Sequence, residues 1–239
     1  MLKSTKNDFS LAHDIIQKAT AQKRYQLFDH EARKLIELYG ITIGRYDVVS
    51  SSDAAIRAAT SLGYPVVLKI ISPDIGHKTD VGGVRTGIKD AEGVKKAFEE
   101  ILRNVKEKRP DARIHGIFVE EMASPSTEVI VGGIRDPQFG PAVMFGLGGI
   151  FVEVFKDVSF RIAPVEEFEA LDMISDIKGA TLLKGFRNTQ PLDMPALAQT
   201  IIQVSHIITS LDEIKEIDLN PVFVYPKGVR AVDARIILS

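Results

Sequence analysis

The sequence predicts an α+β fold in two lobes, and three observations carry that prediction. In the first half, helix-like and strand-like apolar patterns alternate; in the second half, short apolar runs bounded by turn residues dominate. The final stretch, EIDLNPVFVYPKGVRAVDARIIL, reads as a β-hairpin turning at Lys227-Gly228. The change from helix-rich to strand-rich sequence falls at Ile114–Met122. The expected division is therefore a helical appendage over 1–24, a first lobe over 25–115 and a second over 116–239.

The elements follow in order. Leu11, Ile15, Ile16 and Ala19 form one stripe of a short amphipathic helix. Asp29 is expected to cap a second helix, with Ala32, Leu35, Ile36 and Tyr39 on one face and Gly40 as its stop. ITIGRYDVV then reads as a strand. Ser50–Ser52 and Asp53 cap a helix that runs to Leu62 and stops at Gly63. VVLKIIS is a dense strand, PDIGHKTDVGGVRTG a Gly-rich loop, and EGVKKAFEEILRNVKE a helix. IHGIFVEEM, EVIVGGIRD and PAVMFGLGG read as strands, and helices are expected over Glu166–Asp176 and from about Pro195 to Leu211.

Composition narrows the function classes. Lys+Arg total 30 against Asp+Glu 32, a net charge of -2, so nothing favours nucleic acid. The chain has no cysteine, which removes thiolate catalysis and thiolate metal sites. The N-terminus has no continuous apolar stretch and no later run is long enough to span a bilayer, so no membrane partner and a cytoplasmic setting are expected. Gly76-His77-Lys78-Thr79 is no P-loop, because a histidine precedes the lysine. Gly146-Leu147-Gly148-Gly149 lacks the third glycine of a dinucleotide fingerprint.

Five features carry chemistry. Lys69 interrupts a strand apolar on both faces; it either reaches solvent from an edge strand or points into a cleft as a charge for phosphate. The loop after it, with Gly76, Gly82, Gly83 and Gly87 among His77, Lys78 and Arg85, can turn backbone N–H groups toward an anion. In that loop His77 is a candidate nucleophile, and the residues alone leave phosphate contact and phosphorylation equally open. In the terminal hairpin, a two-residue loop at Lys227-Gly228 sets Val222 opposite Asp233 and makes Asn220 the diagonal neighbour of Asp233, with Asp218 one step further. An amide oxygen beside a carboxylate suits Mg²⁺. The segment Glu120-Glu121-Met122 can offer backbone groups to an adenine, and Glu128 a carboxylate to a ribose.

These segments together resemble the ATP-grasp family, in which two α+β lobes clasp a nucleotide. Within it they are similar to the β subunits of the ADP-forming acetyl-CoA (more broadly acyl-CoA) synthetases. The resemblance rests on EARKLIELYGI, LKIISPDIGHKTDVGGV, FVEEM, EVIVGGIRDPQFGPAVMFGLGGI and EIDLNPVFV, and covers nearly all of the chain beyond the appendage. It implies reversible conversion of acetyl-CoA, ADP and phosphate to acetate, CoA and ATP. His77 would carry the phosphoryl group from a histidine of a CoA-binding α subunit to ADP, within an α2β2 heterotetramer. Lys69 would meet the nucleotide phosphates, Glu128 the ribose, and Asn220 and Asp233 the Mg²⁺. Asp218 stands where succinate–CoA ligases carry a glutamate that supports the phosphohistidine. No CoA-binding Rossmann segment is recognisable, so the acyl-CoA chemistry is expected from another polypeptide. Two alternatives remain: a related ligase for a larger acid, and a nucleotide-sensing ATP-grasp module without catalysis.

Overall fold

The computed structural model describes residues 6–149, 156–185 and 190–239. Two compact units result. One comprises 44–124; the other combines 1–43 with 125–239. This differs from the expected division at 115/116, and hydrogen bonding supplies the reason. The strand that carries Ile117–Val119 is an inner strand of the smaller unit's sheet, bonded on both edges. The N-terminal helices, in turn, pack onto the strand-rich half and form one core with it.

The smaller unit is a four-stranded antiparallel sheet ordered β1-β4-β2-β3, with β1 at Tyr46–Val49, β2 at Val66–Ile71, β3 at Val84–Ile88 and β4 at Gly116–Glu121. Helices α3 (Ser52–Leu62) and α4 (Ala91–Lys108) bury one face of it against Val49, Leu68, Ile70, Ile117 and Val119. The caps are local: Ser51 Oγ accepts from Ala54 N–H at 3.3 Å, and Asp90 Oδ1 accepts from Gly93 N–H at 2.8 Å. The sequence left Val84–Ile88 inside a loop, whereas it forms the edge strand β3.

The larger unit is built on a six-stranded sheet ordered β10-β8-β5-β6-β7, with β9 pairing β8. Its strands are β5 (Thr127–Asp136), β6 (Gly140–Leu147), β7 (Val158–Ile162), β8 (Ile214–Val224), β9 (Val229–Ala231) and β10 (Arg235–Leu238). Helices Glu167–Asp176 and Met194–Ser210 share a core with Val131, Phe145, Ile217 and Leu219. Strand β7 was not anticipated: Phe160 and Ile162 are exposed, so its apolar residues do not mark a core face.

The N-terminal helices α1 (Lys6–Ala21) and α2 (Asp29–Leu38) belong to the same core through Ala12, Ile16, Ala19, Ala32, Leu35 and Ile36. The buried stripe of α1 runs through Ala12 rather than Leu11, which is exposed. Asp29 is the first helical residue rather than the cap; Phe28 precedes it, with its N–H bonded to Glu31 Oε2 at 2.8 Å. The chain then runs along the C-terminal strands. Leu27 N–H donates to Ile236 C=O at 3.1 Å and Ala231 N–H to Thr42 C=O at 2.9 Å.

The loop between β2 and β3 is tied at both ends. Arg113 donates to Asp74 through its backbone N–H and two guanidinium nitrogens, at 2.8, 3.0 and 2.8 Å. These bonds hold the Asp74 carboxyl far below the usual carboxylate range, the side-chain bonds first and the backbone bond second. Folding thus lowers this pKa, so the stability it supplies is complete above the unfolded value and is lost as pH falls. We expect Asp74→Asn to lower Tm at pH 7, with the gap to wild type closing below roughly pH 4. Thermal scans across pH check this; a gap that widens in acid would contradict it.

Candidate functional site

In the smaller unit, β2 is buried at every position except Lys69, which is partly so. Lys69 Nζ lies 2.8 Å from Glu120 Oε1, with the two side chains only 12% and 6% exposed. The register explains the meeting. Lys69 stands opposite Phe118 and Glu120 opposite Val67, so lysine and glutamate are diagonal neighbours on one face. That face is the one turned away from α3 and α4, and there Tyr46 stacks on Phe118 with ring centroids 4.8 Å apart. Strand β2 lies between β4 and β3, so a solvent-reaching edge lysine is excluded.

Glu120 and Met122 are expected to offer backbone groups to an adenine. The Glu120 side chain instead holds Lys69, and its backbone is part of the ladder with β1 and β2. Met122 is exposed, and its N–H is bonded to Pro65 C=O at 3.0 Å.

His77 occupies the exposed tip of the β2–β3 loop. Its imidazole makes no hydrogen bond or ion pair among the described residues. The chain on either side is held. Ile75 and Val81 are buried, Gly83 N–H donates to Lys78 C=O at 2.8 Å, and Lys108 Nζ donates to Asp80 C=O at 2.7 Å. Gly82 has φ +66° and lies against Asn104. At Gly83 a Cβ would fall 2.6 Å from Ile70 Cγ2 and 3.0 Å from Lys78 O, so this glycine permits close packing. Arg85, expected beside His77 for phosphate, is directed to α4 instead, with Nε 3.1 Å from Glu100 Oε2.

The larger unit holds the other candidates. The hairpin register differs by two residues from the expected one, because Tyr225 to Gly228 form the turn and Val224 pairs with Val229. Val222 pairs with Ala231 and Asp218 with Arg235; both pairings belong to one continuous register, which sets Asn220 directly opposite Asp233 rather than diagonal to it. The slip of two preserves the face, so both residues remain on the same side of the sheet.

The pairing of β5 with β8 shifts where β8 carries Asn220 and Pro221. Buried positions alternate as Ile217 and Leu219 before this point and as Val222 and Val224 after it. This bulge keeps two successive residues off the core face, a device common beside functional sites.

Asp218 lies on the same outward face. Burial pushes its carboxyl up, Glu216 and Asp233 push it further up, and Arg235 pulls it down. Asp218, Glu216, Asp233 and Arg235 thus lie close enough to act on one another electrostatically, and Arg235 NH1 also stands 3.6 Å from Glu216 Oε1. Amide and carboxylate oxygens with room for water fit Mg²⁺. Among the described residues no group of three or more His, Cys, Asp or Glu side chains is arranged to hold a metal, so any ion would depend on water or phosphate for its remaining ligands.

Glu128 is exposed on β5, against the glycines that end β6. Gly148 N–H donates to Glu128 C=O at 2.8 Å, and a Cβ on Gly148 would fall 2.9 Å from Glu128 Cβ. Within GLGG, Gly148 therefore permits close approach to Glu128, whereas Gly146 permits it to Asp157 and Val158.

This arrangement matches a known class. The ATP-grasp domain family matches residues 18–238, and the chain belongs to that family. More particularly, it is 48% identical over 227 residues to the β subunit of acetate–CoA ligase (ADP-forming) I of Pyrococcus furiosus, covering 95% of this chain and 97% of that one. A solved acetyl-coenzyme A synthetase 1 of Ca. Korarchaeum cryptofilum, in complex with coenzyme A and Ca-AMPCP, superposes with TM-score 0.93 at 48% identity, over 95% of this chain and all (100%) of that chain. A second structure of the Korarchaeum enzyme contains coenzyme A and Mg-AMPPCP, with its phosphohistidine segment pointing towards the nucleotide binding site. It superposes with TM-score 0.85 at 45% identity, over 95% and 100% of the two chains.

The Lys69–Glu120 pair gives a direct test of the smaller unit. Glu120→Gln leaves the ammonium buried without its counter-charge, and we expect a loss of about 3 kcal/mol of stability. A double variant, Lys69→Met with Glu120→Leu, should return near wild-type stability while losing nucleotide affinity. Urea unfolding and nucleotide titration separate the two effects; intact affinity in the double variant would remove Lys69 from the site.

Proposed function

We propose that this chain is the nucleotide-binding β subunit of an ADP-forming acetate–CoA ligase, and that His77 carries the phosphoryl group to and from ADP. The observation that carries this reading is the loop tip. A histidine that makes no hydrogen bond or ion pair among the described residues stands exposed on a loop whose flanking residues are pinned, in a chain similar over 95% of its length to a ligase β subunit.

In the ATP-forming direction, an imidazole nitrogen of His77 attacks phosphorus, and a P–N bond forms as the donor's bond to phosphorus breaks. A terminal phosphate oxygen of ADP then attacks the same phosphorus. The P–N bond breaks and its electron pair returns to the ring. Such transfer depends mostly on positioning and charge neutralisation. Lys69 offers a positive charge to the nucleotide phosphates, with Glu120 fixing the direction of its ammonium. Glu128 holds the ribose hydroxyls. Asp218, next to Asn220 in sequence but one residue, supports the phosphohistidine. Asn220 and Asp233 are the residues that would hold Mg²⁺, which supplies charge withdrawal from phosphate oxygens when bound.

The α subunit supplies the CoA site and the first histidine, in an α2β2 assembly that we place in the cytoplasm. Among the described residues no helix is long and apolar enough to cross a membrane.

The test is His77→Ala in the chain reconstituted with its CoA-binding partner. Nucleotide affinity should remain near wild type while ATP- and acetate-dependent CoA consumption falls by far more than tenfold. Retention of more than roughly a tenth of turnover, equivalent to about 1.4 kcal/mol of barrier, would rule out an obligatory phosphohistidine.

A further inference from the structure

Helix α2 buries an arginine beside its apolar stripe. Arg33 is 2% exposed, among the largest fully buried side chains of the protein. A buried guanidinium is costly to desolvate unless its donors are engaged, and an apolar side chain of similar volume would fill the same space without that cost. Its engagement is therefore informative. Arg33 NH2 donates to the backbone carbonyl of Val232 at 2.5 Å.

Val232 lies in the interval 232–234 between β9 and β10, outside both strands. Its N–H donates to Pro221 C=O at 2.9 Å. Each end of that peptide-to-peptide bond adjoins a candidate metal ligand: Pro221 follows Asn220, and Asp233 follows Val232. Within the interval, Asp233 Oδ1 also takes the Ala234 N–H at 3.0 Å, which restricts its own rotation. Residue 232 is thus fixed from two sides, by β8 at the bulge and by α2 beneath. With φ and ψ constrained there, the direction in which Asp233 leaves the chain is constrained too.

We infer that Arg33 is a positioning residue for the metal-binding pair, holding the Val232 peptide so that Asp233 stays opposite Asn220. This rests on the reading of Asn220 and Asp233 as magnesium ligands. It also assigns a role to the N-terminal segment. Residues 25–43 border β9 and β10 through the Leu27–Ile236 and Ala231–Thr42 backbone bonds, and Arg33 is their charged contact with the interval between those strands.

The experiment titrates Mg²⁺ into the full-length chain at fixed ADP and reads the Mg²⁺ concentration giving half of the rise in ADP affinity by calorimetry. Arg33→Met keeps the volume and removes the donors. Its midpoint should rise roughly tenfold or more, as for lost groups that orient a metal's direct ligands. ADP affinity at saturating Mg²⁺ should change little. Arg33→Lys, which can still reach a carbonyl with one donor, should recover part of the shift. Asp233→Asn is run in parallel. An unshifted midpoint in Asp233→Asn, or no Mg²⁺ effect in wild type, overturns the metal reading and this inference with it. A shift in Asp233→Asn with a wild-type midpoint in a natively folded Arg33→Met overturns the inference alone, as does an Arg33→Lys midpoint raised beyond that of a natively folded Arg33→Met. Failure of both arginine variants to fold also overturns it, because Arg33 is then a general support of the core.

Discussion

In the smaller unit Val49, Leu68, Ile70, Ile117 and Val119 all turn toward α3 and α4. Period-two alternation then sends Lys69, Phe118 and Glu120 to the other face together. The larger unit obeys the same constraint. Ile217, Leu219, Val222 and Val224 enter its core, and Asp218 and Asn220 are left on the outward face. Sheets covered by helices on one face have only the opposite face for charged groups. Each candidate residue carried on a β-strand of this chain, with its partner, follows from that division. The exceptions are His77, on a loop, Asp233, in a gap between strands, and Met122, just past β4.

These exceptions differ in how they are held. The β2–β3 loop combines an exposed His77 with anchored flanks, through Asp74–Arg113 on one side and the Gly83–Lys78 and Asp80–Lys108 bonds on the other. The proposed exchange of phosphate needs access, and the exposure of His77 supplies it. The 232–234 interval is the opposite case. A metal ligand, as Asp233 is proposed to be, must be fixed within a fraction of an ångström, and the bonds from Val232 to Pro221 and Arg33 constrain the chain where regular ladder pairing lapses.

Much of this was legible in the sequence. Lys69 stood out because an ammonium in a run of Val, Leu and Ile is costly to bury unpaired, although the sequence did not show that Glu120 is its partner. The outward face of β8 could be read because the registers that align Asn220 with Asp233 differ only by even steps. Other features were not legible. The compact units divide at 43/44 and 124/125 rather than where composition changes at Ile114–Met122, and the pairing of 116–121 with β1 and β2, which draws that strand into the smaller unit, is invisible to composition. Arg33 was hidden because a charged residue among EARKLIEL reads as solvent-facing until the carbonyl it meets, 199 residues away in sequence, is seen. Arg85 failed for a similar reason: its partner, Glu100, sits on a helix whose orientation no local pattern reports.

The central claim is that phosphate resides on this chain during turnover. It is tested most directly by mixing the reconstituted complex with γ-labelled ATP, quenching within a turnover and separating the chains under alkaline conditions. The account predicts label on this chain, stable to base and lost in acid as a phosphohistidine must be, and absent from His77→Ala. Label confined to the partner, or base-stable label retained in His77→Ala, would contradict it.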